Sequence, residues 1–171
     1  NSTMQHWLSR EFYTTAFTRN EQHSLEAVSL PLSNGSQSEQ RIFLLSAQEA
    51  TNSAYGFGAA ETTDKIRSAY GTDYAKCQGL FVNNGVSHKG PSSWWLRDAG
   101  SASNMEAAVA FNGVCANNSA TVDQTSVGVR PACVVVNLVS ESDLCPYCNK
   151  EHGNSFFQRL IAFFHRILYT I

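Results

Sequence analysis

The stretch Ser93-Trp-Trp-Leu-Arg97 decides how this chain folds. A short aromatic and apolar run of this kind predicts a buried β-strand. Side chains alternate between the two faces of a strand, so Trp94 and Trp95 point in opposite directions and Arg97 shares the face of Trp95. We expect one Trp in the core, and Trp94 is the candidate exposed platform for a sugar ring or an apolar ligand edge. The alternative, in which both are buried, stays open.

A second decisive stretch, Gly128-Val-Arg-Pro-Ala132, lies in a long β-branched run that Pro131 interrupts. An arginine inside an apolar strand must find acceptors for its donors. We therefore expect Arg130 to be buried against a carboxylate or backbone carbonyls rather than to contact a ligand. Together with Trp95 and Arg97, it is predicted to hold the sheet together.

Short helices are predicted in the first half of the chain. A Ser or Thr followed three residues later by Glu or Gln forms a capping box, which begins a helix. This pattern occurs at Ser2, Thr18 and Ser46. Two further helical pieces are expected at Asp64–Tyr70 and Asp73–Gln78.

Strands are predicted mainly in the second half. An earlier apolar run, Arg41–Leu45, is expected to be a buried strand. The dipeptide Asn112-Gly113 is a strong hairpin signal, so it predicts a turn between strands at Ala107–Phe111 and Val114–Ala116. Short helices followed by an antiparallel sheet indicate an α+β fold rather than alternating βαβ units.

Length and composition limit the classes of protein that fit. The chain has 171 residues, a formal net charge of −2, 43% hydrophobic residues and 15% charged residues. We predict one domain at residues 1–139 and a tail at 140–171, where the composition changes. The hydrophobic content excludes wholesale disorder, and the near-neutral charge argues against a nucleic-acid binder. The low charge, offset by Ser, Thr, Asn and Gln, favours a secreted or cell-surface module.

Enzyme motifs are absent from the sequence. It contains no G-x-S-x-G nucleophile elbow, no H-E-x-x-H metal motif and no Walker loop. The histidines fit no catalytic-triad signature. We therefore predict a non-catalytic protein, with no catalytic residues.

Loops between residues 83 and 126 are the candidate ligand-binding region. They are rich in amide side chains, which suit hydroxyl-rich ligands or protein surfaces when a rigid sheet holds them. Besides Trp94, the predicted ligand-binding residues are Asn83, Asn84, Asn104, Asn112, Asn117, Asn118 and Asp123. Solvated loops have the same composition, and this alternative stays open.

The tail carries a candidate zinc site. Cys145-Pro-Tyr-Cys148 is a C-x-x-C knuckle, His152 follows closely, and His165 is the candidate fourth ligand. Two thiolates and two imidazoles form one of the closed tetrahedral sets that hold structural Zn²⁺. A disulfide between Cys145 and Cys148 is the alternative.

The end of the tail, residues 155–171, is predicted to be an amphipathic helix. Its apolar residues follow the i, i+3, i+4, i+7 spacing of one helix face; they are Phe157, Leu160, Ile161, Phe164, Leu168 and Ile171. The segment is short and charged for a membrane span, which needs ~20 apolar residues. We expect it to lie on a surface: its own domain, a second copy of the chain, or a membrane.

The stretch Ser93–Arg97, followed about thirty residues later by Gly128–Ala132, resembles the signature pair of a bacterial domain family of unknown function. Other stretches fit the same family in the same order, among them Trp7-Leu8, Phe12-Tyr13, Ile42–Ser46 and Gly71–Ala75. The resemblance spans residues 2–139. It implies a C-type-lectin-like fold, in the version shared with formylglycine-generating enzymes and phage receptor-binding proteins. It also implies a place in secreted or surface proteins of Gram-positive gut anaerobes.

The chain departs from this family in two places. Asp98-Ala99 stands where members have Ser-Pro, and the sequence begins almost at Trp7, so we expect the domain to lack its opening strands. The Glu-Pro-Asn, Gln-Pro-Asp and Trp-Asn-Asp motifs of calcium-dependent lectins do not occur. The usual Ca²⁺-sugar site is therefore not expected.

The leading functional hypothesis is a non-catalytic module outside the cell that binds a glycan or a protein. One alternative is a hypervariable lectin-like receptor of a diversity-generating system. The others are an enzyme of the formylglycine-generating class and a structural spacer in a modular surface protein.

Overall fold

The computed structural model describes residues 3–31, 35–83, 90–100 and 104–135. They form short helices and small antiparallel sheets, so the predicted α+β class is confirmed. The described residues fall into two compact units: residues up to 43 with 133–135 form the first, and residues between 44 and 132 form the second. The predicted tail and its helix lie outside the described residues.

The elements are short. The helices are α1 (Thr3–Trp7), α2 (Tyr13–Ala16), α3 (Arg19–His23), α4 (Ala47–Ala50) and α5 (Asp73–Cys77), with a π-helical segment at Leu8–Phe12 and a 3₁₀ turn at Ser53–Tyr55. The strands are β1 (Leu25–Glu26), β2 (Val28–Pro31), β3 (Gln37–Gln40), β4 (Ala69–Tyr70), β5 (Pro91–Ser92), β6 (Trp94–Ala99), β7 (Met105–Val109), β8 (Cys115–Thr121) and β9 (Val134–Val135). They pair antiparallel as β1–β9, β2–β3, β4–β5 and β6–β7–β8. Over the described part of the chain, no helix combines the length and apolarity needed to cross a membrane.

The N-terminal helices of the first unit bury one apolar face. Leu8, Phe12 and Phe17 are buried, and the rings of Phe12 and Phe17 meet edge-on with centroids 6.0 Å apart. The predicted capping box begins α3: the Thr18 side chain accepts from the backbone of Glu21, whose carboxylate accepts from the backbone of Thr18. Hydrogen bonds from the backbone and side chain of Thr18 hold the pKa of Glu21 below its ordinary value.

Two of the predicted elements are wrong. Arg41–Leu45 supplies buried apolar side chains, as expected, but it forms no strand beyond a single bridge at Phe43. A short apolar run indicates that a segment is buried, but a buried segment need not pair with a neighbouring strand. The expected helix at Asp64–Tyr70 is a turn followed by β4. The cause is local, because the Asp64 carboxylate accepts from the backbone nitrogen of Ile66 and fixes an Asx turn.

Residues on α4 and β6 join these two elements in the second unit. The predicted capping box of Ser46 and Glu49 begins α4. The Glu49 carboxylate also receives two hydrogen bonds from Arg97, at 2.5 and 2.8 Å. Asp98 accepts from the backbone nitrogen of Ala47 at 2.5 Å. Arg97 therefore links strand β6 to the first turn of α4. Its two hydrogen bonds to the Glu49 carboxylate restrain both side chains.

The three-stranded sheet is built on the predicted hairpin. Trp94 of β6 lies opposite Val109 of β7. β7 ends at Val109 and β8 begins at Cys115, which confirms the turn predicted at Asn112-Gly113. Gly113 has a φ of 83°, in the left-handed region that favours glycine.

The edge strand β8 is bulged. Glu106 lies opposite Ala120, and Ala108 lies opposite Ala116. Between these two pairs, one residue of β7 faces the three residues 117–119 of β8. Such an insertion bends the strand and breaks the ladder locally.

The two signature stretches lie side by side. Trp94 forms a parallel bridge with Gly128. The backbone nitrogen of Trp95 donates to the Gly128 carbonyl, and the Gly128 nitrogen donates to the Ser93 carbonyl, both at 2.9 Å. The Trp94 ring is fully buried in one core cluster with Leu96.

A fully buried arginine, Arg67, joins the loops of the second unit. Its guanidinium donates to the carbonyls of Gly113 (2.5 Å), Ala50 (3.1 Å), Gly58 (2.5 Å), Ala59 (2.7 Å) and Thr62 (2.9 Å). The Asp64 carboxylate, 3.3 Å away, supplies the counter-charge. No local feature of the sequence distinguishes Arg67 from a surface arginine, so its burial was not predicted.

The predicted burial of Arg130 against backbone carbonyls is confirmed. Its guanidinium donates to the carbonyls of Ile66 and Arg67 at 3.1 to 3.2 Å. Its central carbon lies 4.9 Å from the centroid of the Trp94 ring, a cation–π contact. Burial lowers the pKa of Arg130 to about 10, against the opposing influence of Asp64. The side chain therefore remains charged at neutral pH.

We expect Arg130→Ala to lower the free energy of unfolding by about 2–4 kcal/mol, because it removes the guanidinium donors from the carbonyls of Ile66 and Arg67 and the contact with the Trp94 ring. Thermal unfolding followed by circular dichroism measures the effect. Arg19→Ala is the control, since Arg19 is exposed. If both variants have the melting temperature of the wild type, Arg130 is exposed to solvent and its assignment as a buried residue is wrong.

Candidate ligand-binding surface

Trp94 is a core residue. Its side chain is fully buried, its indole nitrogen donates to the Arg67 carbonyl at 2.9 Å, and Arg130 lies against the ring. Trp95 is buried as well, at 7% exposure. The prediction of Trp94 as an exposed ligand platform is wrong, because β6 is covered on both faces.

The predicted amide residues do not form one site. Asn104 lies just before β7, where its carbonyl accepts from the backbone nitrogen of Val122 at 3.0 Å, next to Asp123. Asn112 lies in the turn at the other end of β7. At about 3.3 Å per residue, β7 separates these two ends by about 13 Å. The group at Asn104 and the group at Asn112 are therefore different surfaces.

The remaining predicted residues are scattered. Asn83 is half-buried, and its backbone nitrogen donates to the Pro91 carbonyl at 3.0 Å. Asn117 and Asn118 lie in the β8 backbone at the bulge. The residues outside the described part of the chain are Asn84 and the predicted zinc ligands Cys145, Cys148, His152 and His165.

A pair of phenylalanines that sequence analysis missed lies next to Asn112. Phe81 is 49% exposed, and its ring contacts that of the half-buried Phe111 with centroids 6.2 Å apart and planes inclined by 54°. Leu80 and Val82 are buried on either side, so Phe81 points outward. The sequence gives no signal for this, because Leu80, Phe81 and Val82 are all apolar and only the fold shows which of them is exposed.

Neutral hydrogen-bonding groups flank this pair. The backbone nitrogen of Phe81 donates to the Ser126 carbonyl at 2.9 Å, and the Gln124 amide nitrogen donates to the Ser126 hydroxyl at 3.1 Å. The side-chain oxygen of Asn112 accepts from the backbone nitrogen of Val114 at 3.2 Å. This bond occupies the amide oxygen of Asn112, whereas its amide nitrogen is a donor. We name as the aromatic surface Phe81, Phe111, Asn112, Gln124 and Ser126.

The aromatic surface carries no formal charge. The described segments 80–83, 109–114 and 124–127 contain no Asp, Glu, Lys or Arg. Amides and hydroxyls provide all the side-chain polarity there. Such a surface recognises a ligand by shape and directional hydrogen bonds rather than by ionic attraction.

A buried ion pair holds the turn of the aromatic surface in place. Arg67 donates to the Gly113 carbonyl in that turn, while the Asp64 carboxylate accepts from the backbone nitrogens of Gly58 and Ile66, both at 2.7 Å. Burial acts to raise the pKa of Asp64, but hydrogen bonds from Gly58 and Ile66 and the charge of Arg67 hold it below its ordinary value of 3.8. The carboxylate is thus ionised across the neutral range.

Acid is expected to weaken the fold through Asp64. Because its pKa is lower in the folded than in the unfolded chain, the carboxylate stabilises the fold above its ordinary pKa. That contribution is lost as the pH falls through the folded-state value. Denaturant unfolding at a series of pH values should show a steeper loss of stability below about pH 4 for the wild type than for Asp64→Asn. Parallel curves for the two proteins would contradict this role.

Burial keeps the thiols of Cys133 and Cys115 protonated at neutral pH. Burial raises the pKa of Cys133 to about 11 and also raises the pKa of the half-buried Cys115. Cys133 is buried, whereas Cys77 is exposed. Within the described ranges, no group of three or more His, Cys, Asp or Glu side chains could hold a metal ion.

Comparison with known proteins places the chain in a family but gives no individual relative. Neither the curated proteins nor the solved structures contain a protein that matches this chain. A family model described as a domain of unknown function, DUF6273, matches residues 1–137, and so covers both signature stretches and the aromatic surface. The predicted membership of a family of unknown function is confirmed: the chain belongs to the DUF6273 family.

Proposed function

We propose that the chain is a non-catalytic module that binds a glycan or a protein outside the cell, through the aromatic surface. The observation that carries this proposal is the exposed Phe81 ring, which packs against the ring of Phe111. Phe111 lies at the hairpin turn, and the buried Arg67 fixes that turn by donating to the Gly113 carbonyl. Covering an exposed apolar ring with a ligand is favourable. A rigid turn also lowers the conformational entropy lost on binding.

We further propose a C-type-lectin-like fold and a secreted or cell-surface location in a Gram-positive gut bacterium. The support for the fold is the bridge between Trp94 and Gly128, with Arg130 against the Trp94 ring. The resemblance stated above implies a Trp/Arg strand and a final Gly-x-Arg strand as the scaffold of such a fold. An experimental structure tests the fold, and fractionation of the producing cells tests the location.

The binding proposal is tested on coated surfaces. Fluorescently labelled chain is titrated over wells that carry mucin, bacterial cell-wall polysaccharide or extracellular-matrix proteins. We expect saturable binding to at least one coating. Phe81→Ala should abolish it, because the ring is the largest apolar area on the aromatic surface.

Val122→Ala is the matched control. Val122 is also an exposed apolar residue, at 57%; its backbone nitrogen donates to the Asn104 carbonyl, and it is not a member of the aromatic surface. It should bind like the wild type. Binding that Phe81→Ala and Val122→Ala weaken equally, or no saturable binding to any coating, would refute the proposal.

We propose in addition one structural Zn²⁺ in the tail, held by Cys145, Cys148, His152 and His165. Protein purified without chelator or added metal should contain about one equivalent of zinc, the content of a single closed four-ligand site. Cys145→Ser should remove it. Zinc below about a tenth of an equivalent, with no free thiol at Cys145 or Cys148, would establish the disulfide instead.

A further inference from the structure

The aromatic surface has the chemistry of a site for an uncharged sugar. We propose that its ligand is a neutral pyranoside whose C–H face stacks on Phe81; this rests on the proposed function and names its ligand class. A pyranose ring has an apolar face of C–H groups and a rim of hydroxyls. The C–H face packs on an aromatic ring, while the hydroxyls need partners at the ring edge. Phe81, 49% exposed and supported from one side by Phe111, provides such a ring.

The hydrogen-bonding groups around the rings suit hydroxyls. Gln124 uses its amide nitrogen to donate to Ser126, so its amide oxygen is the acceptor of that side chain. Asn112 uses its oxygen to accept from Val114, so its amide nitrogen is the donor. The surface thus has a donor, the amide nitrogen of Asn112, next to Phe111. It also has an acceptor, the amide oxygen of Gln124, on the segment whose Ser126 carbonyl accepts from the backbone of Phe81. A sugar hydroxyl both donates and accepts, and so satisfies both.

The described segments around the rings contain no cation, and the exposed Asp123 directly precedes Gln124, so the surface selects against acidic ligands. A carboxylated or sulfated sugar would lose hydration against the rings, and segments 80–83, 109–114 and 124–127 offer no cation in return. Partly burying an ion without a partner is costly. A neutral sugar loses only hydroxyl hydration, which the amides replace.

The test is saturation-transfer-difference NMR on the full chain. The probes are the neutral disaccharides cellobiose, maltose, lactose and N,N′-diacetylchitobiose, with sialyllactose and a hyaluronan disaccharide as acidic counterparts. We expect the C–H protons of at least one neutral sugar to receive saturation at millimolar concentration, with little transfer to the acidic sugars. Phe81→Ala should raise the Kd about tenfold or more, and Phe81→Trp should restore binding. Gln124→Ala should raise it about three- to tenfold.

The outcomes separate this inference from the proposed function. Circular dichroism first shows that each variant is folded, and Val122→Ala should bind as the wild type does. If the acidic sugars bind as well as the neutral ones, if no neutral sugar binds, or if Phe81→Ala binds neutral sugars unchanged, the inference is overturned. If the coated-surface assay shows Phe81-dependent binding to a protein coating while every sugar fails, the proposed function stands and only the sugar assignment falls.

Discussion

Arg67→Met is expected to lower the free energy of unfolding by about 5 kcal/mol, the upper end of the range for breaking a buried ion pair. The apolar side chain fills much of the same volume but has no donors. It removes one hydrogen bond from each of five backbone carbonyls, of which that of Ala59 still accepts from Thr62, and it leaves the Asp64 carboxylate without the guanidinium 3.3 Å away. Stability of this size is a large part of the total for a domain. Denaturant unfolding should therefore show a protein that is largely unfolded or that unfolds at a much lower denaturant concentration.

Lys65→Met is the matched control for Arg67→Met. It removes the same charge two residues away, from an exposed position in the same turn. We expect a change within about 0.5 kcal/mol, as for surface substitutions that disturb no contact. Comparable losses for the two variants would show that net charge, and not the hydrogen bonds of Arg67, produces the effect.

Gly113→Ala is the second substitution expected to have a large effect. The added Cβ would lie 2.8 Å from the backbone nitrogen of Asp64 and closer still to its carbonyl oxygen. Backbone atoms cannot rotate away as a flexible side chain can. The left-handed conformation of Gly113 costs an alanine about 1–2 kcal/mol, and overpacking adds about 1–3 kcal/mol. We expect a total loss of about 2–5 kcal/mol in denaturant unfolding, with weaker ligand binding because the turn carries the aromatic surface.

Gly79→Ala isolates the cost of the backbone conformation. Gly79 has a φ of 97°, but a Cβ there would meet nothing within 4 Å. Its loss should stay near about 1–2 kcal/mol. If Gly113→Ala and Gly79→Ala destabilise the protein equally, then the close approach of Gly113 to Asp64 contributes nothing.

Local signals made much of the fold predictable. The capping boxes at Thr18 and Ser46 begin α3 and α4 as predicted. Asn112-Gly113 forms the expected hairpin turn. In each case the chain within a few residues contains both partners of the interaction, so tertiary packing has little to override. The burial of Arg130 was predictable for a related reason, since its apolar neighbours required it.

The surface and its support depend on partners that lie far apart in the sequence. Arg67 and Gly113 are joined only in the folded chain, and so are Phe81 and Phe111. No local pattern reports such a pairing. Trp94 failed as a predicted platform for the same reason, because alternation along a strand gives two faces but does not say whether both are covered.

The bulge in β8 has a consequence for how copies of this domain coexist. A straight strand at the edge of a sheet offers evenly spaced donors and acceptors, and a neighbouring molecule can continue the sheet by adding a strand of its own. At residues 117–119 the spacing is broken, because three residues of β8 occupy the place of one on β7. A strand added from another molecule could not keep its backbone donors and acceptors in register with those of β8 past residues 117–119. The bulge therefore makes this edge a poor template for a strand of a neighbouring copy.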